Sequence, residues 1–354
     1  MSGRWQQEEK YPVISKIGNE RTPIGFFAEH NAHSLFLWVK CWRCSLTRKM
    51  IAKNEEKPGI ESIDFLCIGA QKSGTTFVTS ALRAHPEVQI PESKELHFFS
   101  PKGEYKSEGG YSQCNADRDI EWYKQQFVAD DRKKGEISTH YIFDPTSADR
   151  IKAAFPDIRI FAILRNPVDR AFSQYNMERY KTCKENRSLV TIIEEEPDNE
   201  IFARGLYARQ LTRFLDQFSD DQLRVYLFDD VIRDPAAFFE DLFGFIGIDP
   251  TFVPPGLDKR MNKSRKTKYV FIPWSVRFIR QTLEAIGLTS LVRALIRAGA
   301  GQQFRKLNER YNQVAMDFEM SPEERAALQS YFSDDIVQLE QLINRDLSSW
   351  KSLK

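Results

Sequence analysis

The chain has 354 residues, with 51 Lys and Arg against 50 Asp and Glu, for a formal net charge of +1. That balance supplies no global field to recruit nucleic acid or an acidic membrane, so any anion binding must be local. Hydrophobic content of 41%, with 26 phenylalanines, suffices for one large α/β domain with additions or for two domains.

Residues 1–60 read as an extension of unknown role ahead of the first core strand: polar stretches surround an aromatic cluster, Leu35–Trp42, and a basic run (Arg48, Lys49, Lys53) leads into Lys57-Pro58-Gly59. Leu35–Val39 is far shorter than the ~20 apolar residues of a membrane span. The N-terminus starts polar and charged, unlike a secretory signal. The expectation is a cytoplasmic enzyme of a bacterial kind with no transmembrane segment. Cys41-Trp-Arg-Cys44 has C-x-x-C spacing, but no second Cys or His pair is nearby to complete a zinc site. The five scattered cysteines do not demand an oxidising compartment.

The stretch organising the chain is 64–85. Phe65, Leu66, Cys67 and Ile68 form an apolar run suited to a strand buried on both faces of a parallel sheet. Gly69-Ala-Gln-Lys-Ser-Gly-Thr-Thr76 follows, then a helical pattern that His85-Pro86 ends. A strand, a glycine-bearing turn and a helix N-terminus bind phosphate, because first-turn N–H groups lack intrahelical partners and the helix dipole favours an anion. Gly69 and Gly74 have Walker A separation, but Thr75 stands where that motif's lysine belongs and the lysine comes early, at Lys72. This weakens a kinase or ATPase reading. On this loop alone, a ligand-free turn stays open as the alternative.

Val88–Pro91 is a short extended segment, and Lys94-Glu95-Leu96-His97-Phe98-Phe99 sets three ionisable residues beside an aromatic pair. Glu95 could serve as general base toward a hydroxyl or amine. The bland alternative, favoured by composition alone, leaves Glu95 solvated while Leu96, Phe98 and Phe99 are buried. Residues 119–127 predict a helix with Ile120, Tyr123 and Phe127 on one face, and Gly135–Tyr141 predicts a strand ending in a polar loop. His140 there could contact substrate, although a lone histidine is more often structural.

Arg159–Leu164 predicts a second strong strand, with Pro167 placed to open a helix that carries Ser173. Arg165 then lies at the strand's carboxyl end, where open α/β sheets bind ligands. Arg165 and Ser173 suit a phosphate; the alternative is a surface ion pair of Arg165 or Arg170 with Asp169. A helix over 206–218, a strand over Leu223–Phe228 and a helix over Pro235–Ile246 continue a β-loop-α order. The fold class expected is α/β, a P-loop-type, mostly parallel sheet flanked by helices, with a C-terminal helical segment. Asn262–Lys268 holds four cations, either a solvated loop or a flap over an anionic nucleotide. Residues 275–310 have amphipathic patterning. Ser321-Pro322-Glu323-Glu324 predicts a capped final helix with Leu328, Phe332, Leu339 and Leu342 inward.

Gly69–Thr76, Lys94–Phe99 and Arg165–Tyr175 occur in the order and rough spacing of sulfotransferases that use 3′-phosphoadenosine 5′-phosphosulfate (PAPS). The chain most resembles the branch containing heparan sulfate N- and 3-O-sulfotransferases and bacterial relatives. The likeness covers about residues 63–268 and implies a sulfotransferase domain over 61–354, with core 63–268 and C-terminal helices 270–354. It implies sulfuryl transfer from PAPS to a hydroxyl, less readily an amine, of a glycan or small-molecule acceptor, with neither nucleic acid nor a required metal. Lys72 would stabilise the departing adenosine 3′,5′-bisphosphate. Ser73, Gly74, Thr75 and Thr76 would cradle the 5′-phosphosulfate, and Arg165 and Ser173 would hold the 3′-phosphate. Glu95 matches the family's proposed general base, with His97 two residues on. Tyr207 looks like the tyrosine approaching adenine, and Lys263 and Arg265 fall in a basic loop over the nucleotide. One departure is Ile137, where the 3-O-sulfotransferases have lysine, which argues against a heparan-like acceptor. The rivals are a P-loop nucleotide kinase and a non-catalytic nucleotide-binding protein.

Overall fold

The computed structural model describes residues 62–100, 115, 117–182, 184–257, 265–267, 279, 282–283, 313–315 and 318–352. The extension over 1–60, the Cys41–Cys44 pair, Lys263 and nearly all of 275–310 lie outside the described residues, as does the Arg265 side chain.

Five parallel strands form the main sheet in the order β2-β3-β1-β4-β5. They are β1 (Phe65–Gly69), β2 (Val88–Gln89), β3 (Lys133–Ile137), β4 (Arg159–Leu164) and β5 (Leu223–Leu227). Central β1 pairs with β3 on one side (Phe65 opposite Gly135) and with β4 on the other (Phe65 opposite Arg159). From β1 the chain runs outward toward β2, whereas from β4 it runs the opposite way to β5. The carboxyl ends of β1 and β4 therefore flank the sheet's topological switch point, where open α/β sheets form their crevice.

Central β1 and β4 are buried on both faces, as their apolar runs predict. Leu66, Ile68, Ile160, Ala162 and Leu164 pack on one face, and Phe65, Cys67, Phe161 and Ile163 on the other. The first face is covered by α2 (Ile120–Lys124), α3 (Ser147–Ala154), α4 (Pro167–Asn176), α5 (Leu189–Glu195), α6 (Glu200–Ala203), α7 (Tyr207–Leu215) and α10 (Pro322–Ile343). The second is covered by α1 (Thr75–Ala84), α8 (Phe228–Arg233) and α9 (Pro235–Ile246), the last supplying Phe238, Phe239, Leu242 and Phe243. A π-helical turn, Met177–Lys181, extends α4. Arg265–Thr267 (β6) pairs antiparallel with Gln313–Ala315 (β7). Cys67 is a small buried hydrophobe, its thiol pushed up to about 12 by burial.

The expected elements mostly hold, with local corrections. The helix expected over 119–127 stops at Lys124, yet Phe127 stays buried. Phe228 opens α8 instead of ending β5. On α10 the capping box forms as expected, Ser321 accepting from the Glu324 N–H and Glu324 accepting from the Ser321 N–H. Leu342, expected inward, is 36% exposed, whereas Ile336 is buried and Ile343 packs against the core. The inward stripe runs 328, 332, 336, 339, 343, and Leu342 falls beside it.

Candidate functional site

The loop leaving β1 is shaped by close approach. A Cβ on Gly69 would sit 2.5 Å from Ile142 Cγ2, and Gly74, at φ 78°, holds the left-handed conformation that glycine adopts without a steric penalty. Gly74 precedes α1 and gives no side-chain cap; its carbonyl accepts from the Phe77 N–H at 2.9 Å, so the Thr75 and Thr76 N–H groups are the ones without an intrahelical acceptor. Lys72, also left-handed at φ 71°, places Nζ 3.4 Å from Met177 Sδ. The Ser73 hydroxyl is buried and lacks a hydrogen-bond partner. So does that of Tyr207, which opens α7 with its ring fully buried beneath the loop. Burial pushes the Tyr207 phenol up to about 12, against the pull of the Arg170 charge, the Arg165 backbone and the Ser73 hydroxyl. The Ser73 and Tyr207 hydroxyls thus lie near each other with no partner at full hydrogen-bond distance, a lining whose capacity a phosphate oxygen would satisfy.

The carboxyl end of β4 meets this loop. Arg165 Nη1 donates to the Lys72 carbonyl at 3.3 Å, and its guanidinium lies 5.2 Å from the Phe228 ring centre. Asn166 caps α4 by accepting from the Val168 N–H, Pro167 takes the first helical position, and Ser173 sits half-buried on the same helix. Asp169 pairs with Arg325 at 3.8 Å and with neither Arg165 nor Arg170. Arg170 is fully buried, and among the described residues no carboxylate lies within ion-pair reach of it. It donates to Gln174 Oε1 at 2.8 Å and to the Ile201 carbonyl, and burial lowers its pKa to about 10.

Lys94–Phe99 closes the third side. Lys94 Nζ reaches Thr75 Oγ1 at 3.2 Å, Thr76 Oγ1 at 3.4 Å and Glu95 Oε1 at 3.5 Å. Glu95 also accepts from Thr139 Oγ1 at 3.2 Å and meets His97 Nε2 at 3.4 Å. Burial pushes the Glu95 carboxyl up, but His97, Lys94 and Thr139 together hold it below the usual carboxylate value. Leu96, Phe98 and Phe99 are buried, as both readings of this stretch require. The bland alternative fails at Glu95, which is half-buried and engaged on three sides. The His97 and His140 ring centres are 6.1 Å apart. Burial, helped by Arg204 and His97, pushes His140 down to about 2, so it stays neutral at ordinary pH.

Of the residues expected at a site, Lys72, Ser73, Gly74, Thr75 and Thr76 share one loop and helix start, which Arg165 meets at the Lys72 carbonyl and Tyr207 at Ser73, while Ser173 sits further along α4. Lys94 links Glu95 and His97 to that helix start. Lys263 and the Arg265 side chain lie outside the described residues. Sequence reasoning gave no role to Lys94, Thr139, Arg170 or the buried Glu136. Lys94 was visible beside Glu95, but nothing in the spacing signals that it turns back to the Thr75 and Thr76 hydroxyls.

Comparison with known proteins bears on the family and the fold. The model of the sulfotransferase family matches residues 64–252, more than half of the chain. The crystal structure of a sulfotransferase from Alicyclobacillus acidocaldarius superposes with a TM-score of 0.58 at 30% identity, covering 83% of this chain and 100% of that one. The membrane-associated sulfotransferase kil1 of Dictyostelium discoideum is 30% identical over 145 residues, 38% of this chain and 28% of its own. The human bifunctional heparan sulfate N-deacetylase/N-sulfotransferase 2 is 26% identical over 211 residues, 52% of this chain and 22% of its own. The chain thus spans about a quarter of the length of these curated relatives. One of them is named membrane-associated, so the cytoplasmic expectation gains no support here. Among the described residues no helix is long and apolar enough to cross a membrane. On the extent of the family match, this chain belongs to the sulfotransferase family.

Proposed function

We propose that the protein transfers the sulfuryl group of PAPS to a hydroxyl, with an amine as second choice, of a carbohydrate or hydroxylated small metabolite. The observation that carries this reading is the contact of Arg165 with the Lys72 carbonyl at the switch point. It brings the guanidinium at the end of β4 against the backbone of the loop that carries Lys72 at the end of β1, so two adjacent strand ends supply cations at the switch point. PAPS, when bound, supplies an activated sulfuryl group on a good leaving phosphate. Lys72, the first-turn N–H groups of α1 and the hydroxyls of Ser73, Thr75 and Thr76 hold the 5′ end and stabilise charge as it develops there. Arg165 and Ser173 hold the 3′-phosphate. Tyr207 is assigned to the adenine, and Lys263 and Arg265 keep their expected role as basic residues toward the nucleotide.

Glu95 takes the acceptor's proton as the new S–O bond forms and the bond to the leaving phosphate breaks. Its depressed pKa keeps it ionised through neutral pH, and His97 orients it. The acceptor class is a carbohydrate by analogy with the heparan-named relatives, while Ile137, apolar and buried, favours a different sugar or a metabolite.

Incubation with PAPS labelled in the sulfuryl group and a panel of glycan and hydroxylated acceptors, read by mass spectrometry, tests the proposal. Labelled ester and adenosine 3′,5′-bisphosphate in equal amounts are expected. Protection against heat by ATP with Mg²⁺ but not by the bisphosphate would instead support a kinase. Binding of the bisphosphate without transfer to any acceptor would leave a nucleotide-binding protein.

A further inference from the structure

Glu136, on β3, is fully buried, and no role has been given to it so far. Its carboxylate accepts from the Leu96 N–H at 3.0 Å, Tyr123 Oη at 2.7 Å, Tyr141 Oη at 2.9 Å and the Ser138 hydroxyl. Burial pushes its pKa up while those donors pull the other way. The Tyr141 hydroxyl, donating to Glu136, accepts in turn from the Phe98 N–H at 3.0 Å. The two backbone N–H groups on either side of His97 are therefore tied to one buried carboxylate, Leu96 directly and Phe98 through Tyr141. The side chains of Glu95 and His97, which alternate with these anchors along the chain, meet at 3.4 Å. His97 itself has φ 52°, a conformation that persists in a non-glycine residue only where its surroundings over-determine it.

We propose that Glu136 and Tyr141 are positioning residues for the general base: together they hold the 95–99 backbone so that His97 faces Glu95 and Glu95 faces the crevice. The proposal rests on the sulfotransferase reading above, with Glu95 as base. Tyr123 supplies the internal control. Its hydroxyl also donates to Glu136, but it bonds neither Leu96 nor Phe98. Loss of that hydroxyl removes a buried hydrogen bond without releasing the segment.

The test compares Tyr141→Phe, Tyr123→Phe and Glu95→Gln in the full chain, by steady-state sulfate transfer, bisphosphate affinity, melting temperature and the pH dependence of kcat. Tyr141→Phe is expected to lower kcat roughly ten- to hundredfold, the scale of a misplaced catalytic group. Its bisphosphate Kd should be unchanged, and the acidic limb of its pH profile should move upward as Glu95 loses His97. Tyr123→Phe should lower the melting temperature comparably while keeping kcat within about twofold, since hydroxyl loss alone costs stability. Equal effects of the two tyrosine variants on kcat, or a normal kcat and pH profile in Tyr141→Phe, would overturn the positioning role. Full turnover in Glu95→Gln would instead overturn the assignment of the base.

Discussion

Arg165, at the end of β4, donates from its guanidinium to the backbone carbonyl of Lys72, at the end of β1, across 3.3 Å. The carboxyl ends of β1 and β4 thus meet, each carrying a cation. The contact uses the Lys72 main chain, while Lys72 Nζ lies 3.4 Å from Met177 Sδ. Arg165→Met should therefore weaken adenosine 3′,5′-bisphosphate binding by roughly ten- to hundredfold, the scale of a lost charge-assisted hydrogen bond, as read by calorimetric titration. Lys72→Ala should lower kcat by roughly a hundredfold or more, since its charge acts on the leaving group. An unchanged affinity in the first variant, or a near-normal rate in the second, removes that residue from the site.

Glu95→Gln should lower turnover by roughly a hundred- to ten-thousandfold, the range for a general base, while leaving bisphosphate affinity intact. Retained turnover would move the base elsewhere. His97, 3.4 Å from Glu95, is then the next candidate, ahead of His140, which burial makes a weak proton acceptor.

The pH dependence has a definite sign. The Glu95 pKa lies below its ordinary value, with Lys94 among the groups that lower it. The base is thus ionised above that depressed value, and the rate falls only as pH drops through it. Lys94→Met removes the nearby cation, so the pKa rises and the loss begins at a higher pH. A pH profile of kcat showing no upward movement of the acidic limb would contradict the coupling.

Asp335 on α10 accepts from the Ala208 N–H at 3.1 Å and so tethers the start of α7, which carries Tyr207. Burial raises its carboxyl to about 6 from 3.8, although the N–H groups of Ala208, Tyr207 and Arg209 pull it down. The folded state therefore binds this proton more tightly than the unfolded one. The resulting stability is fully present below about pH 3.8 and is lost as pH rises through about 6. Melting temperatures of wild type and Asp335→Asn should converge or cross over that window, with wild type ahead at the acid end. A pH-independent difference would contradict the assignment.

Gly69→Ala would set a methyl group against Ile142 Cγ2 at 2.5 Å. A destabilisation of about 1–3 kcal/mol is expected, typical of an overpacked core, with reduced nucleotide binding because the same backbone carries the loop. Denaturant unfolding measures the first effect and titration the second.

Much of this was legible in the sequence because it is local. The unbroken apolar runs Phe65–Ile68 and Ile160–Leu164 mark buried parallel strands, and the glycine-lysine-hydroxyl turn after the first has a helix behind it. The capping box at Ser321–Glu324 forms residue for residue. What was not legible depends on contacts between distant parts of the chain. The Lys94 link from the phosphate loop to Glu95 closes a gap of 18 and 19 residues to Thr76 and Thr75. Glu136 reaches back 40 residues to Leu96. Arg170 reads as a surface cation beside Asp169, yet it is buried because Ile201 and Gln174 supply its acceptors. Leu342 misleads through helical phase, since one position along α10 separates a core side chain from an exposed one.

Calorimetric titration of the full chain with adenosine 3′,5′-bisphosphate, beside adenosine 5′-monophosphate and ATP with Mg²⁺, tests the central claim most directly. The account predicts one bisphosphate per chain, bound more tightly than the monophosphate by an increment that Arg165→Met abolishes. Equal affinity for the two adenosine nucleotides, or binding of ATP with Mg²⁺ alone, would contradict it.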